Sequence, residues 1–361
     1  MSNVLLTSVG RRSYLVDYFR QALKGRGGVI CADMRADTPA MYAADLAVVT
    51  PASHDPAYLP KILEICRDHR VRLLCSFSDA DAYALSRHGA VFRQLGLATT
   101  LPDADWGRIT LDKYECTRLL ARHGIPVPWT GISLDEAIAA LRTGQLSFPV
   151  VIKARLGFGS LGLNVCHDLE EFKQAHALAA QHLALSANPW YGAPPMGENV
   201  LIQQGITGRE YCIGIVNDLT GDYAAHLMCE VHAMRAGESD MATTVDPALA
   251  GELPRRISAL TGHSGIWGVD CMDDDGVLRV IDINPRFTGD YPFNQLAGAN
   301  VPAALLAWAE GRELDPGWLR ADVGIRGYKD LVPTCAIQSG MARGFNALRT
   351  SSVNRSTPTT G

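Results

Sequence analysis

The sequence predicts a mixed α/β (α+β) protein in which a parallel, helix-covered sheet is followed by a second α/β unit and then by a mainly antiparallel one. Three observations carry that expectation. Over the first hundred residues short β-prone runs alternate with helical patterns, the rhythm of a parallel sheet. A breaker-rich stretch, Leu101-Pro-Asp-Ala-Asp105, then precedes a second α/β unit. From residue 199 the pattern becomes strand, turn, strand, which suits antiparallel pairing.

Taken in order, Val4-Leu-Leu-Thr-Ser8 reads as a strand, and Tyr14, Leu15, Tyr18, Phe19 and Leu23 fall on one side of a helix after Gly10. Val29–Ala32, Leu46–Thr50 and Val71–Cys75 read as further strands, with helices at about 57–69 and 80–95. A single Gly10 is not G-x-G-x-x-G, so the Rossmann-like rhythm does not imply a bound dinucleotide. Asp79 and Asp81 follow a strand, where acidic residues either cap the next helix or face a ligand.

Asp112-Lys113 opens a helix that stops near Gly124, ahead of Ile125-Pro-Val-Pro128. The strand Pro149–Ala154 and a helix around Leu169–Leu185 follow, and the Pro- and Gly-rich residues 186–198 read as a loop. Then come Val200–Gln203, a turn at Gly208, Glu210–Val216 and Tyr223–His232. Val301–Glu310 is the last element with clear helical character. The polar, low-complexity tail from Thr350 is expected to be disordered.

The bulk numbers exclude several classes. Of 361 residues, 47% are hydrophobic and 20% charged, values of a globular chain with more than one core. The formal net charge of -5 gives no basic face for nucleic acid. No apolar run is long enough to span a bilayer and no basic leader opens the sequence, so a cytoplasmic protein is expected. The nine scattered cysteines never form C-x-x-C, and reduced core thiols are expected rather than disulfides or zinc ligands.

Two stretches carry chemistry. Ile266–Met272 and Val277–Ile283 form a hairpin through Asp273-Asp-Asp-Gly276. A three-residue loop with Gly276 in the left-handed position would place Asp270 and Asp282 on one face, whereas a two-residue Asp-Gly turn would place them on opposite faces. Asn284 shares the face of Asp282 by period two, and Arg286 follows if the chain stays extended past Pro285. Carboxylate and amide oxygens are the hard ligands magnesium takes, and the arginine would stabilise negative charge. Asp273, Asp274 and Asp275 read as a solvated turn, but Asp282 lies amid Val280, Ile281 and Ile283, where an unpaired charge would be costly.

Lys153 makes the same argument with opposite sign, inside an apolar strand and just before Gly157-Phe-Gly-Ser-Leu-Gly162. A buried lysine beside a glycine-rich loop suits phosphate binding, although the loop is not a Walker A motif.

In this combination the sequence resembles the ATP-grasp superfamily, with biotin carboxylase and the large chain of carbamoyl phosphate synthetase as its nearest likenesses. The matching positions are Lys113, Lys153 with its glycine loop, the hinge Leu201-Ile-Gln-Gln-Gly-Ile206, Glu210, and Asp270 with Asp282-Ile-Asn284-Pro-Arg286, in family order. The resemblance covers roughly residues 1–315. It implies a Rossmann-like preceding domain over 1–105, an ATP-grasp N-terminal subdomain over 106–198, a C-terminal subdomain with the metal site over 199–320, and an extension over 321–361.

The same resemblance implies that Lys113 and Lys153 contact nucleotide phosphates and that Gly157, Phe158, Gly159 and Ser160 belong to a loop closing over them. Gln203, Gln204 and Ile206 would lie at the adenine hinge, Glu210 on ribose, and Asp270, Asp282 and Asn284 on magnesium, with manganese as a substitute. Two departures stand out: Gln204 replaces the usual glutamate, and the metal residues are Asp where relatives usually have Glu.

The implied activity is an ADP-forming ligase that converts a carboxylate to an acyl phosphate and passes it to an amine, a thiol or another nucleophile. The acid is expected to be an amino acid or similar small acid, and a homodimer suits a chain of this size. Arg286 is the candidate for steadying the acyl phosphate. Arg235, in the polar stretch Met234–Asp240, could clamp a carboxylate or lie in a solvated loop. His232 and His263 lack metal-ligand spacing and read as structural. The competing reading is a catalytically silent ATP-binding regulatory or interaction module, which would not need Asp270, Asp282, Asn284 and Arg286 together.

Overall fold

Val4, Leu5 and Leu6 are fully buried at consecutive positions, as a strand covered on both faces requires. The computed structural model describes residues 2–157, 162–184 and 198–331. Phe158, Gly159, Ser160, Cys335, most of the expected 186–198 loop and the tail from Thr350 therefore lie outside the described residues. No helix among those described is long and apolar enough to cross a membrane.

The first region runs β1 (Asn3–Thr7), α1 (Ser13–Leu23), β2 (Val29–Asp33), α2 (Pro39–Ala43), β3 (Leu46–Val49), α3 (Tyr58–Asp68), β4 (Val71–Ser76), α4 (Asp79–Ser86), α5 (Gly89–Gln94) and β5 (Ala98–Thr100). Its sheet is parallel throughout, in the order β3-β2-β1-β4-β5. Strand order reverses between β1 and β4, so the loops leaving those two strands diverge at their carboxyl ends. The helix expected over 80–95 is broken at Arg87-His88 into α4 and α5. Five-residue α2 and three-residue β5 are too short for sequence periodicity to register.

Next come α6 (Ala104–Leu111), α7 (Lys113–Arg122), β6 (Thr130–Gly131), α8 (Leu134–Thr143), β7 (Val150–Ala154), β8 (Asn164–Cys166), α9 (Leu169–Ala184) and β9 (Val200–Gln204). Their strands form an antiparallel sheet ordered β6-β9-β7-β8. The remaining elements are β10 (Glu210–Asn217), β11 (Tyr223–Arg235), β12 (Glu238–Thr244), α10 (Leu253–Ser258), β13 (Gly265–Asp274), β14 (Val277–Asn284), α11 (Tyr291–Leu296), α12 (Val301–Glu310) and β15 (Arg326–Tyr328). They build an antiparallel sheet ordered β14-β13-β10-β11-β12-β15.

Helix α12 matches the expected Val301–Glu310 and is apolar along most of its length. Its Val301, Leu305 and Leu306 join Val4, Phe19 and Cys75 in one core, so the chain returns to cover the first sheet. Phe287 stacks on Phe77 at 5.3 Å, which ties the segment after β14 to the loop after β4.

The polar stretch 234–240 is a hairpin rather than a loop. Ala236 and Gly237 both have positive φ and form its two-residue turn, so Glu238 already belongs to a strand. All eight cysteines among the described residues are buried and unpaired, as expected for reduced thiols.

Candidate active site

The register of β13 and β14 decides where the acidic residues point, and it departs from the expected solution. Asp274 pairs with Val277, so the turn is a two-residue one in which Asp275 and Gly276 both have positive φ. Such a turn alone would separate the two aspartates. A register shift between Asp270 and Cys271 corrects this by leaving Ile281 as an extra residue in β14, and Asp270 becomes the cross-strand partner of Asp282. The carbonyl of Ile281 in this bulge accepts a hydrogen bond from Lys153 Nζ at 2.9 Å. One irregularity thus aligns the carboxylates and engages the buried lysine.

Around this pair the charges are close. Lys113 Nζ donates to both carboxylate oxygens of Asp282 at 2.6 Å. Burial opposes the Lys113 charge, yet Asp282 leaves its pKa above the usual value. Burial would also raise Asp282, but Lys113 and Lys153 outweigh it and hold the carboxyl below its usual range. Lys153 is pushed down to about 8, chiefly by burial. Asp270 is pushed up to about 7 by burial and by the charge of Asp282. Asn284 Nδ2 donates to Asp270 at 2.9 Å, and Arg286 Nη2 donates to Asn284 Oδ1 at 3.0 Å.

Lys113 is placed by a device the sequence reading did not identify. Asp112 accepts the N–H groups of Tyr114 and Glu115 at the start of α7 and also pairs with Arg155 Nη2 at 2.8 Å. The helix start is thereby fixed beside the strand carrying Lys153.

Lys113, Lys153, Asp270, Asp282, Asn284 and Arg286 line a cavity of about 390 Å³ that also takes in Gly157, Gln203, Gln204, Ile206 and Glu210. Burial raises the Glu210 carboxyl. Gln204 turns its side chain to the main chain, accepting from Ser147 N at 2.9 Å and donating to Gly205 O at 2.8 Å. Gln203 Nε2 donates to Thr130 Oγ1 at 3.1 Å.

At the other end, Asp79 is no helix cap. It lines the cavity, where Arg286 Nε lies 2.8 Å from Oδ1 as an ionic contact and Arg286 Nη2 donates to Oδ2 at 3.3 Å. Asp81 is not a cap either: buried at the carboxyl end of the sheet, it accepts from Thr7 Oγ1 at 2.5 Å, from Ser76 Oγ at 2.8 Å and from Tyr58.

Arg235 is not brought to the cavity wall, because it pairs with Asp240 across its own hairpin at 2.5 Å. Glu238 lines the cavity instead, with Arg12 Nη2 at 2.9 Å and Lys329 Nζ at 3.4 Å. Sequence reasoning missed Arg12, Glu238 and Lys329. The available signal was that Arg12 follows β1 and Asp79 follows β4, the two strands flanking the point where strand order reverses.

Magnesium fits the donor set. Two carboxylates opposed across one hairpin, with an amide oxygen two residues on, are hard ligands, and a divalent cation would relieve the repulsion that raises Asp270. Among the described residues no three His, Cys, Asp or Glu side chains form a self-contained metal site. Substrate phosphates and water would complete the shell of a bound ion.

The sequence matches the family described as "ATP-grasp domain" over residues 110–290 and the one described as "PylC-like, N-terminal domain" over residues 4–100. A D-alanine–D-alanine ligase of Francisella philomiragia is 29% identical over 132 residues, 37% of this chain and 38% of that protein. A pyruvate carboxylase component of Methanothermobacter thermautotrophicus is 23% identical over 228 residues, 60% of this chain and 44% of that one. These matches thus span less than half the length of either relative.

Among solved structures, biotin carboxylase from Campylobacter jejuni superposes with a TM-score of 0.67 at 17% identity, covering 89% of this chain and 73% of that one. N5-carboxyaminoimidazole ribonucleotide synthetase from Thermotoga maritima gives 0.61 at 17% identity, covering 87% and 77%. At such identities the likeness is one of fold.

Proposed function

From the premise that the chain belongs to the ATP-grasp family, we propose that it is a magnesium-dependent, ADP-forming ligase joining a small carboxylic acid, such as an amino acid, to an amine. The observation that carries this reading is the bulge at Ile281, which sets Asp270, Asp282, Asn284 and Lys153 around one cavity with Lys113 and Arg286. A protein that only bound nucleotide would not need the arginine and the paired carboxylates at the far end from the hinge.

In this reading the backbone at Gln204–Ile206 reads the base, Glu210 holds ribose, and Lys113 and Lys153 hold the phosphates. Gly157 lines the same cavity. Asp270, Asp282 and Asn284 hold the cation, which when bound neutralises phosphate charge.

An oxygen of the substrate carboxylate attacks the γ-phosphorus, the bond from that phosphorus to the bridging oxygen breaks, and ADP leaves. The amine nitrogen then attacks the acyl carbon, the C–O bond to phosphate breaks, and the nitrogen gives up a proton. Arg286, held by Asp79 and Asn284, supports the negative charge on the acyl phosphate and on the oxyanion of the second step. The protein's larger contribution is to hold reactants in line and away from water.

The test is hydroxamate formation from ATP, magnesium and hydroxylamine across a panel of amino acids and small acids, with ADP release measured in parallel. Acid-dependent formation of both products is expected. Their absence with every acid would overturn the ligase reading.

A further inference from the structure

Every charged side chain lining the cavity has a counter-ion in contact or a place in the reading above, with one exception. Asp79 pairs with Arg286, Asp282 with Lys113, and Glu238 with Arg12 and Lys329. Lys153, Glu210 and Asp270 are taken up by phosphate, ribose and the cation. The exception is Asp290.

Asp290 is only 1% exposed and makes no ion pair among the described residues. Its Oδ1 accepts from Cys212 Sγ at 2.9 Å and its Oδ2 from Asn294 Nδ2 at 3.5 Å. A thiol is a weak donor, and the amide bond is long. Lys329 also faces Asp290, but its contact is with Glu238 at 3.4 Å and it stands behind the cavity wall. Capping does not account for Asp290 either: it occupies the N-cap position of α11, yet its side chain accepts no backbone N–H there. A buried carboxylate held this loosely is costly unless a ligand completes its shell.

A second group nearby is also incomplete. Thr288 lines the cavity at 6% exposure, and its buried Oγ1 has no hydrogen-bond partner among the described residues. Such orphaned hydroxyls are rare in folded proteins. Arg286, Thr288, Gly289 and Asp290 all line the cavity, while Phe287 between them stacks on Phe77 in the core. One short segment thus presents a guanidinium, an unpartnered hydroxyl and a carboxylate to the same space.

The chemistry of these groups selects the ligand. A carboxylate and a free hydroxyl oxygen together suit a cation with several donors, and a primary ammonium has three. Cys212 is the cross-strand partner of Asp270, so Asp290 stands one side chain from the proposed cation site and close to where the acid reacts. The charges beyond that site already balance, with Asp79, Glu238 and Asp290 against Arg286, Arg12 and Lys329. Arg11 also reaches Glu238, but at 52% exposure it is solvated. A zwitterion adds no net charge to this balance, whereas a second carboxylate on the substrate would meet a wall that displays three of its own.

We propose that Asp290 and Thr288 hold a primary ammonium group on the acid substrate, so that the acid is an amino acid whose amino group is required for recognition. This rests on the ligase reading. Asp290 supplies the charge and Thr288 a second acceptor, while the substrate carboxylate lies toward Arg286 and the phosphates.

The test uses the full chain with MgADP. Calorimetry compares glycine, alanine, β-alanine, glutamate and lysine with acetate, propionate, glutarate and hexanoate, the same skeletons without amino groups, and hydroxamate formation is measured alongside. At least one amino acid is expected to bind about 10-fold or more tightly than its counterpart. Asp290→Asn should remove that preference, and Thr288→Val should reduce it about threefold, with ATP affinity kept in both. Equal binding with and without the amino group, no amino acid bound, or a preference unchanged in Asp290→Asn would overturn the proposal. So would Asp290-dependent binding of ethylamine or 1,4-diaminobutane but of no amino acid, which would assign the ammonium to the nucleophile instead. Hydroxamate from the amino-free acids alone would overturn it while sparing the ligase reading. Asp290-dependent amino acid binding without any hydroxamate would support the ammonium site and sink the ligase reading.

Discussion

Gly268 on β13 offers a steric test of how Arg286 is held. It pairs with Asn284 on one side and Gly214 on the other, and it faces Thr288, two residues past Arg286. A Cβ at this position would lie 1.9 Å from Thr288 Cγ2 and 3.1 Å from Thr288 Cβ. Thr288 is buried, so it can reach ordinary contact only by moving roughly 1.5 Å and drawing the Arg286 segment with it. A misplacement of order 1 Å at a reacting group costs about 100-fold in rate.

Gly268→Ala is therefore expected to lower acid-dependent hydroxamate turnover by about 10- to 100-fold, while KM for ATP stays within about threefold. Overpacking should also cost about 1–3 kcal/mol of stability, visible as a lower melting temperature. Thr288→Ser removes Cγ2, the atom in the worst clash, so the double variant should regain most of the lost turnover. Wild-type turnover in Gly268→Ala, or a double variant no better than the single, would refute the steric account.

Two further outcomes test the charges. Asp282→Asn leaves Lys113 and Lys153 facing a neutral amide, and turnover should fall about 100-fold or more with circular dichroism unchanged; near-normal turnover would remove Asp282 from the proposed metal site. His263 is fully buried beside Trp267, and burial drives its imidazole down to about 3, against a smaller upward pull from the Ile266 backbone. Because the folded value lies below the unfolded 6.5, its contribution to stability is complete above pH 6.5 and is lost as pH falls toward 3, at roughly 1 kcal/mol per pH unit. Melting temperatures between pH 7.5 and 5.5 should therefore fall less steeply in His263→Phe than in the wild type, and identical slopes would contradict the assignment.

The parts of the site legible in the sequence were those where a charge interrupts an apolar run. Lys153 within Val150–Ala154 and Asp282 within Val280–Ile283 announce themselves because burying either alone is prohibitive. The bulge at Ile281 was not legible, since a one-residue shift in register depends on what lies across the strand and not on the strand's own pattern. Neither was the pairing of Arg12 with Glu238, which are 226 positions apart and meet only through tertiary packing. Arg235 misled for a related reason: its side chain satisfies a neighbour on its own hairpin, while Glu238, three residues on, faces the cavity.

The order of the first sheet explains why the missed residues come from its loops. In an open parallel sheet the crevice for ligand lies at the carboxyl ends of the strands where order reverses. Here that place is between β1 and β4, where Arg12 lies in the loop after β1 and Asp79 opens the helix after β4. Neither loop has the glycine pattern that lets a pyrophosphate approach. Each delivers instead a charge to the neighbouring antiparallel region: Arg12 to Glu238 on β12, and Asp79 to Arg286 beyond β14. On the proposed function the phosphates face Lys113 and Lys153, which the first sheet does not supply, so the segments after β1 and β4 are free to vary with the acid while the nucleotide end stays fixed. The division has a physical basis: the hinge, Lys153 and the bulge are fixed by strand pairing, whereas Arg12 just before α1 and Asp79 at the start of α4 reach the neighbouring region through ion pairs. Changes in the loops after β1 and β4 should thus alter which acid is accepted before they alter the affinity for ATP.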